Sequence, residues 1–192
     1  MSIASTETFF IDLIKARFQA ALMAVESMPA DWDSKTFERA LRMAPGVFVV
    51  FNGGSRLDGY GDALVIAAKW TFVVVTTHAQ GDLARRHGDA REIGAFEMIE
   101  ILLSLLEGVM PPDATQAMEV EAVANLFSDS DEAKGATLYA IECVMPQAIG
   151  PSAEGPVDPA LDDFVTFHGD IDLAKPDGQI DAADTLTLPQ GP

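Results

Sequence analysis

Residues 63–77, ALVIAAKWTFVVVTT, leave this chain few ways to fold. Val, Ile, Thr, Trp and Phe dominate, the types that fit a pleated, half-buried surface, so the run predicts one long β-strand. Side chains alternate between the two faces of a strand. Leu64, Ile66, Ala68, Trp70, Phe72 and Val74 make one apolar face that must pack on a core. Val65, Ala67, Lys69, Thr71, Val73 and Val75 make the other, mixed at first and then apolar. At about 3.3 Å per residue the strand would be roughly 50 Å long, beyond the usual range of about 3–10 residues. Such a strand either bends at a bulge or projects past its own domain, where it would meet another subunit.

The remaining sequence must cover that strand. With 192 residues, 48% of them hydrophobic, the chain can bury one sizeable core and is too apolar for disorder. No apolar run reaches the ~20 residues that span a bilayer, and MSIASTETFF lacks a basic stretch leading into an apolar one, which reads as no secretory signal. The net charge of −18 argues against nucleic acid and against anionic membranes as partners, because both need clustered Lys and Arg. The single cysteine, Cys143, forms no internal disulfide and is expected to be a buried, inert thiol.

In chain order, residues 6–28 predict a first amphipathic helix, with Thr6 as its cap, Phe10, Leu13, Ile14, Phe18, Ala21, Leu22 and Val25 at helical spacing, and Pro29 as its stop. Asp33 or Ser34 caps a short helix over 35–43. Residues 47–52, VFVVFN, predict a buried strand, and the glycine-rich 53–62 a hairpin loop into the long strand. That loop matches neither phosphate-binding glycine pattern. Residues 78–91 hold the one basic cluster, Arg85, Arg86, His87 and Arg91, beside His78, Asp82 and Asp89, without metal-ligand spacing. A second long helix follows over 93–106, with Ile93, Phe96, Ile99, Leu102, Leu103 and Leu106 as its apolar stripe and Gly108 just past its end. Glu97 and Glu100 read as its solvated face. Residues 117–126 and 136–144 predict two strands of a hairpin around the polar connector SDSDEAKG, 128–135.

Composition changes after Pro146. The domain organisation expected is an α+β domain over 1–148, then a Pro/Gly linker and acidic arm over 149–192. Residues 151–192 contain nine Asp or Glu and one Lys, yet 164–167 and 185–188 are strand-like, so the arm is expected to fold onto its own domain or a neighbouring subunit. Asp170, Asp172, Asp177, Gly178 and Asp184 imitate a calcium loop. Setting Gly178 sixth puts Leu173 and Lys175 where the first two carboxylates belong, so an acidic turn between short strands is the expectation. The fold class is α+β: a mainly antiparallel sheet with two long helices packed on one face, plus an acidic strand-forming C-terminal arm.

The runs PGVFVVFNGG, KWTFVVVTTHAQG, RRHGD…IGAFEMIEILLSLLEG and FHGDIDLAKPDGQIDAADTLTLPQ resemble a family of Mu-like phage and prophage proteins over nearly the whole chain. That family lies among genes between head and contractile-tail proteins. The resemblance implies a tail terminator or tail-completion protein: a small subunit forming a homo-oligomeric, hexameric ring at the head-proximal end of the tail tube. It implies tail tube, sheath and head–tail connector proteins as partners, no cofactor, no metal and no catalytic residue. Its place would be the virion tail or neck, assembled in the bacterial host cytoplasm. Candidate contacts for the ring are the 56–69 arm with Arg56 and Lys69, and the 128–135 loop with Asp129 and Asp131. Arg85, Arg86 and Arg91 are the candidates for docking an acidic neighbour. The alternatives are another neck, connector or baseplate protein, and a small cytosolic enzyme, for which three His, one Cys and no recognisable motif offer no site.

Overall fold

The strand anticipated from 63–77 is the middle of the fold. In a computed structural model describing residues 3–58, 64–112, 114–126, 135–149 and the strands at 166–171 and 182–187, it runs unbroken as β3, Leu64–Thr77. It pairs along its whole length with β5, Ala136–Ile149, from Leu64↔Ile149 to Thr77↔Ala136. On its other side lies β2, Gly46–Leu57, also antiparallel. A strand flanked on both sides needs no outside partner for its backbone, and this accounts for its length.

β1, Ala24–Ser27, and β4, Glu119–Asn125, complete a five-stranded sheet in the order β1-β2-β3-β5-β4. All pairings are antiparallel except β1 with β2. α1, Ile3–Phe18, and α4, Ala95–Leu106, cover one face. Phe10, Ile14 and Phe18 recur at four-residue spacing and are buried with Met98, Leu102 and Leu106 against Trp70, Phe72 and Val74. At this core's centre Phe10 meets Trp70 and Phe72 edge-on, each at 5.3 Å, and Phe51 lies 4.9 Å from Trp70. On the opposite face a smaller core gathers around α2, Ser34–Arg42, with Phe37 and Ala40 against Phe48, Val73, Val75 and Leu138. α3, Asp82–His87, is one short turn beyond β3. The α+β expectation holds, with α2 on the second face as an addition.

Several boundaries differ. The first helix does not reach residue 28 but stops at Phe18. Gln19 takes φ 50°, a left-handed value that ends the ladder, and after a short 3-10 turn residues 24–27 lie beside β2, where Ala24 and Val25 gain burial. Thr6 is no cap: it sits inside α1, fully buried, and its hydroxyl accepts from Gln147 Nε2 at 2.9 Å. β2 is longer than 47–52 because it runs on through Gly53 to Leu57. A one-residue bulge between Phe51 and Gly54 absorbs Gly53, whose φ of 87° suits glycine. α4 buries Ala95 and Met98 in addition to the expected Ile99, Leu102 and Leu106, while Ile93, Phe96 and Leu103 pack partly buried against the same core. Asp33 caps α2 by accepting from Thr36 N–H at 2.8 Å, and Gly108 follows α4 as anticipated.

Contacts divide the chain into Met1–Ser152 and Ala153–Pro192. In the second unit β6, Thr166–Ile171, pairs antiparallel with β7, Ala182–Thr187. The 128–134 part of the expected connector, the linker and the calcium-like residues 172–180 lie outside the described residues.

Candidate functional site

Chemistry in a cleft needs convergent ionisable groups. Among the described residues no group of three or more His, Cys, Asp or Glu stands where it could hold a metal ion, and no helix is long and apolar enough to cross a membrane. Cys143 is buried on the α1/α4 face. Burial, then the charges of Glu107 and Glu121, push its thiol up to about 12. A thiol reagent at pH 8 should therefore leave native protein unmodified over hours and label it stoichiometrically in denaturant; rapid native labelling would show an open, ionised thiol.

The basic segment forms a self-contained clasp at the end of the sheet where β3 leaves it. Gln80 N–H donates to His78 Nδ1 at 3.1 Å, which leaves Nε2 to face Asp89 Oδ2 at 3.3 Å and Glu92 Oε2 at 3.7 Å. Asp89 Oδ1 accepts from the N–H groups of Arg91 at 2.7 Å and Glu92 at 2.9 Å. Those backbone bonds, Arg91 first, hold its carboxyl below the ordinary 3.8, with His78 adding to them. Because the folded value is lowered, the bonds contribute fully above the ordinary value and are lost as pH falls through the lowered one. Amide protection at Arg91 and Glu92, taken against the intrinsic rate at each pH, should fall in acid below that value, and Asp89→Ala should show the loss already at pH 7. Equal protection at pH 7 in wild type and variant would refute the clasp.

The three arginines of this segment are not equivalent. Arg86 pairs with Asp82 at 2.7 Å and lies 6.0 Å over the Phe96 ring. Arg85 stands 3.6 Å from Asp82 with its side chain 15% exposed, and its carbonyl accepts from Thr76 Oγ1. Arg91 is exposed, makes no ion pair with a described residue, and rims a hollow with Ala20, Met23, Pro45 and Ile93. Asp82, Asp89 and Glu92 balance the three arginines, so the segment is neutral rather than a basic patch. Arg56 and Lys69 are both exposed but lie on opposite faces of the arm: Arg56 is in register with Ile66 on the α1/α4 face, and Lys69 with Val144 on the other. Asp129 and Asp131 lie outside the described residues.

Two features had no signal in the sequence. On the second face, beyond α2, Trp32, Val50, Thr71, Ala140, Glu142 and Leu126 line an open hollow of about 260 Å³, where Asn52 Nδ2 donates to Thr71 Oγ1 at 2.6 Å. The sheet also keeps edges that only the topology reveals, because α/β sequence patterns mark faces and not neighbours. Neither feature is a cleft of reactive groups. In the first unit the described residues thus define an α+β fold on one five-stranded sheet, with exposed surfaces and strand edges.

The chain belongs to the Bacteriophage Mu, Gp37 family, whose profile matches residues 2–148. It is also similar to the Mu-like prophage FluMu protein gp37 of Haemophilus influenzae, at 26% identity over 188 residues, 97% of this chain and 89% of that protein. The family match ends near the end of β5, whereas the likeness to the Haemophilus protein extends into the acidic tail. The Mu-like resemblance read from the sequence is therefore correct.

Proposed function

We propose that this protein is a structural virion component that closes the head-proximal end of a contractile tail tube. Membership of a phage Mu family across the whole α+β unit is the observation that carries the reading. The surfaces support it: the described residues offer the exposed charges of Arg56 and Lys69 and unpaired stretches of strand. In this reading identical subunits form a ring, six for preference, that seats on the last tube ring, ends tube growth and presents its other face to the head connector. Cyclic closure suits such a cap because it saturates every contact without an open end. A strongly acidic subunit repels DNA passing through the ring, which keeps the channel from binding its cargo. Arg56, Lys69, Arg91 and the 128–135 loop with Asp129 and Asp131 are the contacts proposed, and Arg85 and Arg86 act with them by fixing α3. The acidic arm serves as a clasp between subunits.

The test is tube growth. Purified full-length protein added to polymerising tube protein of the same phage should shorten the tubes and appear as a ring at one end in negative stain. Tubes of unchanged length, with no added density at their ends, would refute the terminator role.

A further inference from the structure

Besides the outer side of the short β1, the sheet has two unpaired stretches among the described residues, and they lie on its opposite sides. β1 covers only residues 46–49 of β2, so 50–57 has β3 on one side and no described strand on the other. β4 is the last strand at the far side. Its start is already occupied. Gly108 N–H donates to Met118 O at 2.9 Å, Met118 N–H to Val109 O at 2.8 Å, and Val120 N–H to Glu107 Oε2 at 2.9 Å. Residues 121–124 remain open.

The directions of the edge amides follow from bonds already made. Leu126 N–H donates inward to Leu138 O on β5. Alternation along a strand then turns Val123 outward. The one-residue bulge between Val120 and Ala122 flips the phase, as the outward Val120 N–H confirms. On β2, Val49 O accepts outward from Met28 N–H. The bulge between Phe51 and Gly54 flips that phase too and turns Arg56 outward. Each open stretch carries one charged residue, Arg56 on β2 and Glu121 on β4, both exposed and without an ion pair to a described residue.

We infer that β4 of one copy pairs with the open half of β2 of the next copy, Glu121 of the first facing Arg56 of the second, and that this contact closes the ring. The inference rests on the ring reading above and names its interface. Pairing like edges across a two-fold axis would set Glu121 near Glu121 or Arg56 near Arg56, with no opposite charge on either open stretch. Pairing unlike edges is head-to-tail and generates a ring where the rotation between copies closes. The strand directions agree. Three antiparallel steps separate β2 from β4, so the two run oppositely within one copy. Rotation about an axis along the strands preserves direction, so β4 meets the next β2 antiparallel. The bulges twist both edges away from a flat partner and keep them from indiscriminate pairing. Closing the ring removes both edges.

The experiment compares full-length wild type with two edge-blocked variants by light scattering. Val123→Pro and Arg56→Pro each delete one outward amide and leave the other edge intact. Wild type should assemble, and each variant should stay at the subunit mass of 20.5 kDa. The two variants mixed in equal amounts should give a species of twice that mass, because each retains the edge the other lacks. Charge reversal covers the case in which a proline unfolds the chain. Arg56→Glu or Glu121→Arg alone should weaken assembly by about tenfold, and both in one chain should restore it. Variants that assemble like wild type would overturn the edge pairing and leave the ring standing. Arg56→Pro that dimerises by itself would mean a two-fold contact through β4 and overturn the head-to-tail arrangement. Wild type that stays monomeric at every concentration would overturn ring and pairing together.

Discussion

Trp70→Ala is expected to lower the melting temperature by about 6–20 °C, the result of a loss of roughly 3–5 kcal/mol in a chain of this size. Trp70 is fully buried at the point where three aromatic rings meet. Removing the indole leaves a cavity under α1, which Phe10 and Phe51 fill only by leaving their present geometry. Phe10 sits on α1 but Phe51 sits on β2, so partial collapse would also strain the sheet pairing. The indole Nε1 is buried without a hydrogen-bond partner among the described residues, an arrangement that costs about 1–3 kcal/mol. Trp70→Phe removes that cost together with part of the volume and should be far milder than the alanine variant. Thermal unfolding followed by far-ultraviolet circular dichroism reads both. An alanine variant within about 2 °C of wild type would show that the ring cluster is not the keystone of the larger core.

Gly94→Ala is the second large effect, through a different mechanism. A Cβ at Gly94 would lie 2.6 Å from Arg86 O and closer still to the Gly88 nitrogen and the His87 carbonyl carbon. These are backbone atoms, so no rotamer change relieves the overlap. The turn 88–93, held by the Gly88↔Ile93 bridge and by Asp89, has to move away from the start of α4. The expected cost is at the upper end of overpacking, about 3 kcal/mol, with amide protection lost first at Arg91 and Glu92. Gly53→Ala is the control, since its Cβ would meet nothing within 4 Å and only the φ of 87° opposes it. That change should cost about 1 kcal/mol. Equal effects at the two positions would mean that the close approach at Gly94 is not what fixes the turn.

Much of the fold could be read along the chain because periodicity reports faces. The alternation of β3 assigned Ala68, Trp70, Phe72 and Val74 to one core, and they are there. The stripe Phe10, Ile14 and Phe18 placed α1 on that face, and Ile99, Leu102 and Leu106 placed α4 beside it. Where pattern failed, a short-range signal was overruled by burial elsewhere. Val25 fits the helical stripe as well as it fits a strand, and pairing with β2 decided between the two. Gly53 and Gly54 signal a turn in any local reading, but pairing with β3 carried the strand past them as a bulge. The candidate contacts were less legible. Arg85, Arg86 and Arg91 look like one basic patch in sequence, whereas in space Asp82 holds the first two and leaves Arg91 exposed. Charge clusters in sequence do not reveal partners brought in by a helical turn or a loop closure.

The sequence by itself determined the α+β class, the long central strand and the two helices that cover it, because each follows from which side chains must leave water. It also carried the Mu-like resemblance, in runs of residues rather than in any single motif. Only the tertiary structure decided which strands stand side by side, that a short parallel strand borders β2, that Thr6 is buried against Gln147, and that among the described residues unlike stretches of β2 and β4 are left unpaired. The reason is physical. Burial is a property of single residues and repeats along the chain, whereas a strand's neighbour is chosen by hydrogen bonds between segments far apart in sequence, which leave no local periodicity.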